Sequence, residues 1–362
     1  MPCNAPALFL AGLVRPLQRP FAEPRRTHSN GAGSMTRSDA ITRRQLMKAG
    51  LIIAGAPFCA EALFDGRAAA VDVKPAEDTP IGPREIVKGL DGMSRVAEMG
   101  NSFGLGHNAA AVISSAFFCR EQKLDADTQK EILAFLDGGL LKSSIYAAAR
   151  PKETADPKLV EGLVEDLDAG IATLRGKGHN IIFAVTSLKA LGEVPEAATP
   201  ERIAGLRKMV QSFGKTEAAV EMDPEPLVGL DDEQKFIHFI FEEFLKAAGD
   251  GFDGHVVTIG HALVELHRMG HKDLARKGVP AYWEWVRGAR ANEAEGAPAP
   301  PQAPTPLTRE YWAAQVKRHV GGIAGSHMVK YPHSFYALAK DVKDEDLKKR
   351  ILAKVSRLTA TN

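Results

Sequence analysis

Eleven histidines occur in 362 residues, and four of them are spaced almost evenly. His107, His179, His255 and His327 follow one another at steps of 72, 76 and 72 residues. A glycine stands before each of the first three (Gly106, Gly178, Gly254), and in the fourth a serine intervenes, as Gly325-Ser326-His327. Neutral imidazole both ligates transition metals and moves protons near pH 7, so a regular set of imidazoles points to metal binding or acid–base chemistry. The third and fourth members carry a second histidine six residues on, His261 behind Gly260 and His333 behind Pro332. Six residues of straight helix turn through about 600°, leaving such a pair roughly 120° apart, whereas a kink at the glycine or proline turns both rings toward one cavity. His255, His261, His327 and His333 are therefore the candidate catalytic or metal-ligating group. His107 and His179 form a second tier with Asn108 and Asn180, because a glycine–histidine turn that bonds the preceding loop is also a plain packing device.

Other candidates are weaker. His267 and His271 have the i, i+4 spacing of two ligands on one helix face, but Gly270 reads as a helix C′ residue, as Gly192 does earlier, and puts His271 beyond the helix end. Most carboxylates read as solvated helix faces, with Glu265 the one to watch beside the histidines. The aromatic groups Tyr282-Trp283-Glu284-Trp285 and Tyr311-Trp312 either wall a flat ligand or pack as helix-face core. Tyr282, Trp283 and Tyr331 are the candidate substrate-binding residues. The chain has no HExxH, paired CxxC, Walker loop or Gly-x-Ser-x-Gly elbow.

The histidine period implies four copies of one unit, at roughly 84–150, 156–215, 232–291 and 308–360. Each copy reads as helix A, then the glycine–histidine turn opening helix B, then helix C. In the third A helix Phe236, Ile237, Ile240, Phe241, Phe244 and Leu245 recur at helical steps, and the B segments are apolar all round, as buried helices are. Thr199-Pro200-Glu201 starts a C helix with an N-cap, a proline at the first turn and a carboxylate at the positive end. Strand signals are scarce. The expectation is an all-α chain of about four three-helix repeats, packed as an α/α toroid or a short α-solenoid. A closed ring gathers the histidines in a central pocket, and an open array strings them along a groove.

Near the N-terminus, Thr42-Arg43-Arg44-Gln45-Leu46-Met47-Lys48 resembles a twin-arginine export motif. A short apolar stretch and Ala68-Ala69-Ala70 follow it. The expectation is that residues 1–70 are an extension plus a cleaved signal, with Met35 as an alternative start, and that 71–362 form one helical domain. Such a protein passes the twin-arginine machinery folded, to the periplasm or beyond the cell. The apolar stretch is far shorter than the ~20 residues of a spanning helix, so no permanent membrane span is expected. Residues 1–70 hold 9 basic and 4 acidic side chains, so the remainder carries −4 and has no basic run to suggest nucleic acid. Cys119 is the sole cysteine of that remainder, so an intramolecular disulfide is excluded there.

The stretch Gly254-His255-Val256-Val257-Thr258-Ile259-Gly260-His261-Ala262-Leu263, with the later Tyr282-Trp283, resembles the questin oxidase-like family. Gly325 to Leu338 is similar to a weaker copy. The resemblance implies a helical, histidine-lined pocket and an oxidoreductase active on polycyclic quinones, with His255, His261, Tyr282 and Trp283 carried over. Val256 stands where the family has glycine. An exported enzyme would lack the cytoplasmic supply of the reduced nicotinamide that fungal members use, so nicotinamide is less expected than a transition metal or haem, and the cofactor's identity stays open. The functional expectation is an exported oxidoreductase or cofactor-binding protein acting on a small, aromatic-type substrate. Its rival is a non-catalytic helical scaffold holding a peptide, lipid or protein partner.

Overall fold

A computed structural model describes residues 80–148, 150–216, 228–247, 252–290 and 304–361. The twin-arginine-like segment and the whole expected leader lie outside these residues, as does most of each proline- and glycine-rich connection. The described chain is all-helical, with no strand and a single antiparallel bridge between Arg175 and Lys215. Its twelve α-helices fall into four threes. They are α1 Pro83–Met93, α2 Ser102–Glu121 and α3 Ala126–Gly138; α4 Val160–Asp168, α5 His179–Glu193 and α6 Pro200–Gln211; α7 Glu233–Lys246, α8 Phe252–Arg268 and α9 Lys272–Arg290; α10 Arg309–Arg318, α11 Gly322–Ala339 and α12 Glu345–Thr361.

Local chemistry sets several starts. Asn101, Asp125 and Asp232 each accept a backbone N–H from three residues ahead, the N-cap arrangement that satisfies the free first turn of α2, α3 and α7. Thr199 occupies the cap position of α6 without a capping hydrogen bond, and Pro200 starts that helix by its fixed φ. At the end of α8, Gly270 takes φ +94, while His271 N–H closes back on the Leu266 carbonyl. Gly192, in contrast, lies inside α5, which runs on to Glu193.

The second helix of each unit is central. In α2 every residue from Gly106 to Cys119 is buried, a composition that only a helix enclosed by others tolerates. Helix α2 packs on α5, α5 on α8, α8 on α11, and α11 back on α2. Around them, α6 lies against α1, α12 against α7 and α3 against α10, and Lys277 of α9 pairs with Asp168 of α4. Each unit's third helix thus meets the first helix of the unit before it, and the first unit meets the fourth. Among the described residues no helix is long and apolar enough to cross a membrane.

The glycines before the histidines do different work from the expected turn. Only Gly178, at φ +81, sits at a helix start, while Gly106 and Gly254 lie inside α2 and α8. A Cβ on Gly106 would meet the Phe183 ring, and one on Gly254 the Tyr331 ring, so these glycines admit an aromatic ring against the helix backbone. Gly254→Ala should therefore push Tyr331 aside and cost about 1–3 kcal/mol of stability, read as a lowered denaturation midpoint. A midpoint unchanged by that substitution would show that the ring is not tightly held.

Candidate functional site

The four central helices bring His107, His179, His255 and His327 together, one from each. His107 and His179 are fully buried, His255 nearly so, and His327 is half-buried with its Nε2 enclosed. Ring centroids lie 4.4 Å apart for His107–His179, 4.9 Å for His179–His255, 5.0 Å for His107–His327 and 5.3 Å for His255–His327.

Hydrogen bonds decide which nitrogen carries the proton. His107 Nδ1 lies 2.6 Å from the Phe103 carbonyl oxygen, and His179 Nδ1 lies 2.6 Å from that of Gly176. A carbonyl only accepts, so both Nδ1 atoms are donors, and in the neutral ring Nε2 is then a bare lone pair. Both rings are neutral: burial, reinforced by the neighbouring positive groups, pushes the His107 pKa down to about 2 and that of His179 well below the ordinary histidine value. Yet the two Nε2 atoms face each other at 3.0 Å, with His255 Nε2 3.2 Å from that of His179. For His179 this is the bond to the preceding loop expected of a packing histidine, whereas for His107 the acceptor lies on α2 itself, and in both it turns the Nε2 atom inward.

Two lone pairs at that distance repel unless a shared cation lies between them. Among the described residues, His107, His179 and His255 are the one set of three ligand atoms all within 4.8 Å of one another. Tetrahedral bonds of ~2.0–2.1 Å place donor atoms ~3.3 Å apart, close to the spacing seen. His255 could give a proton to His179 through Nε2, but that leaves the His107–His179 pair unrelieved. Tyr331 completes the setting: its hydroxyl lies 3.0 Å from His255 Nδ1, and its ring stacks on His327 at 4.3 Å. Phe103, Phe183 and Trp285 ring the cluster.

The second histidines go elsewhere. α8 and α11 run unbroken through Gly260 and Pro332, so His261 and His333 do not join His255 and His327 but form a separate pair, with centroids 5.1 Å apart. His261 Nδ1 lies 3.1 Å from Ser334 Oγ, and its Nε2 faces Glu265 at 3.6 Å. His333 Nε2 faces Glu121, also at 3.6 Å. Lys189 Nζ bridges the remaining oxygens of the two carboxylates at 2.7 Å each. Against burial, which alone would raise it, the Glu121 pKa is held far below the usual range by His333 and Lys189, and that of Glu265 by His261 and Lys189. Burial lowers His261 to about 4 despite the opposing Glu265.

Of the remaining candidates, Tyr282 and Trp283 pack against Phe236 and Phe239 in the core, away from both histidine groups. Asn108 accepts from Ser326 across to α11 rather than from its own loop, while the buried Asn180 Oδ1 has no hydrogen-bond partner. His267 pairs with Glu233. Phe103, Phe183, Lys189, Glu121, Lys330 and Ser334 carry no motif. Their signal was a polar or aromatic residue on a helix otherwise apolar all round. Neither protein-family models, nor curated proteins, nor solved structures give a match to this chain.

Proposed function

We propose that His107, His179 and His255, with the His327 ring packed beside them, hold a transition-metal ion, and that the protein is an exported oxidoreductase or metal-carrying binding protein acting on a small molecule. The observation that carries this reading is the pair of bare Nε2 lone pairs on His107 and His179, held 3.0 Å apart by their own Nδ1–H bonds. An all-imidazole set suits iron, copper, nickel or zinc, and an ion so held supplies Lewis-acid or one-electron chemistry. The rings touch one another, leaving no slot for a haem macrocycle, so a bare ion is the group that fits.

The chain's own residues do the rest. The Phe103 and Gly176 carbonyls fix two tautomers and make the opposite nitrogens better donors, and Tyr331 orients the third ring. Phe103 and Phe183 exclude water from one side. The cyclic packing of α2, α5, α8 and α11 supports a closed α/α toroid over an open solenoid, since only a ring brings the first and fourth histidines together. The resemblance to the questin oxidase-like family agrees with a histidine-lined helical interior, but its Tyr-Trp pair packs outside that interior here. A non-catalytic scaffold accounts less well for four imidazoles in mutual contact.

Elemental analysis of protein recovered through its own export route tests the reading. About one equivalent of a transition metal is expected. Less than about a tenth of an equivalent, with none taken up on addition, would overturn it.

A further inference from the structure

Between the two histidine groups lies a lysine that neither uses. Lys330 stands on α11 midway between His327 and His333 and is 3% exposed. Its Nζ sits 5.4 Å from the Phe183 ring centroid, and its charge acts on His107, His179 and His327. Among the described residues no carboxylate pairs with it, and burial lowers its pKa to about 7. A buried ammonium without a counterion is costly, so the neutral amine is favoured, and a neutral lysine amine is a nucleophile.

Lys330 lines a cavity of about 30 Å³ shared with His261, His333, Ser334, Thr258 and Lys189. A water needs ~10–15 Å³ by this measure, so the space suits a molecule of about two or three heavy atoms. The Nε2 atoms of His261 and His333 are buried there without hydrogen-bond partners. Glu265 also lines it, and the Glu265 and Lys189 side chains are 13% and 18% exposed.

We propose that Lys330 is a carbonyl-capturing residue, whose amine forms an imine with a small aldehyde admitted to this cavity while His261 and His333 move the protons. The Nζ lone pair attacks the carbonyl carbon. The carbonyl oxygen takes up a proton, Nζ gives one up, and a carbinolamine results. A second proton reaches the hydroxyl, water leaves, and Nζ loses its remaining proton to give the C=N bond. One carbonyl compound and one amine become one imine and one water, with no change of oxidation state. Each step moves a proton, and the Ser334–His261–Glu265 chain and the His333–Glu121 pair are placed to carry it. Carbon dioxide is the less suitable electrophile. Its adduct is an anion, and the nearby Lys189 cation is already committed to two carboxylates.

Reductive trapping tests this without reference to any metal, since the readout is a covalent mass. The folded protein is treated at pH 7 with acetaldehyde and cyanoborohydride, and peptides are mapped for ethylated lysine. Lys330 should be labelled at least about tenfold faster than the average surface lysine, whose pKa near ~10.4 leaves only ~10⁻³ of it neutral. His261→Ala, with unchanged circular dichroism, should slow labelling of Lys330 by about 100-fold while leaving surface lysines alone. Ser334→Ala should slow it less. The assignment is overturned if Lys330 stays unmodified in folded protein, or is labelled only after denaturant. An unchanged Lys330 rate in His261→Ala removes the proton-moving part.

Discussion

Replacing His179 with alanine should strip the histidine cluster of metal more completely than any other single substitution. His179 Nε2 faces both other nitrogens, at 3.0 and 3.2 Å, so its loss removes the member common to both close pairs. Affinity should fall by more than the ~10–100-fold that an outer hydrogen-bond partner commands, and Tyr331→Phe should fall within that range. Stability follows by linkage: at a free metal concentration ~1,000 times Kd, the ion stabilises the fold by ~4 kcal/mol, which chelation or His179→Ala would forfeit. His179→Leu separates this from packing. If the imidazoles only fill space, leucine keeps the denaturation midpoint and the metal content of the wild type. If they hold an ion, metal is lost, while the metal-free variant becomes at least as stable as metal-free wild type, because the lone-pair repulsion has gone.

Mild acid should unfold the metal-free protein steeply. His107 and His261 have folded pKa values near 2 and 4, and His179 and His327 are lowered by the same burial. In the unfolded chain each histidine titrates near 6.5. Below that pH the unfolded state binds protons that the folded state refuses, so stability is fully present above about 6.5 and declines as pH falls toward the folded values. Each such histidine costs ~1.4 kcal/mol per pH unit. Neighbours in the cluster share protons, so the slope lies between that of one proton and that of four. Even two protons lost over 1.5 pH units amount to ~4 kcal/mol, a large part of a typical total of ~5–15. Urea midpoints measured from pH 8 to 5 give the answer, and a flat profile below pH 6.5 would reject neutral burial of these rings. Bound metal adds a trend of the same sign, because protons compete for its ligands.

Much of the architecture was legible because the histidine period and the apolar B segments repeat. The described residues form twelve helices and no strand, as an all-α chain requires, and α1, α7 and α10 begin within a residue of their expected starts. The helix ends were less legible. His107 and His327 lie five residues inside their helices rather than at the first turn, since Gly106 and Gly325 serve close packing. A glycine before a histidine cannot reveal whether it faces a turn or an aromatic ring on another helix. The candidate site was visible in its residue types but not in its grouping. Six residues along an unbroken helix advance ~9 Å, enough to put His261 and His333 in a chamber of their own. Lys189, Glu121 and Lys330 escaped because a lone charge in a helix usually marks a solvated face. Here all three are buried or nearly so, and for Lys189 and Glu121 only their partners on other helices disclose it.

The hydrogen bond from Ser326 to Asn108 joins residues 218 positions apart and belongs to the seam where α11 meets α2. Joining segments so distant in sequence is a slow step, because loop-closure entropy is lost before the contacts return it. During synthesis the first three units emerge with one flank of α2 and α8 uncovered, an apolar surface that must wait for α11. His327 arrives only with α11, so the complete set of four imidazoles forms late in synthesis. Any role that needs all four rings together is thereby confined to chains that have made α11 and packed it against α2.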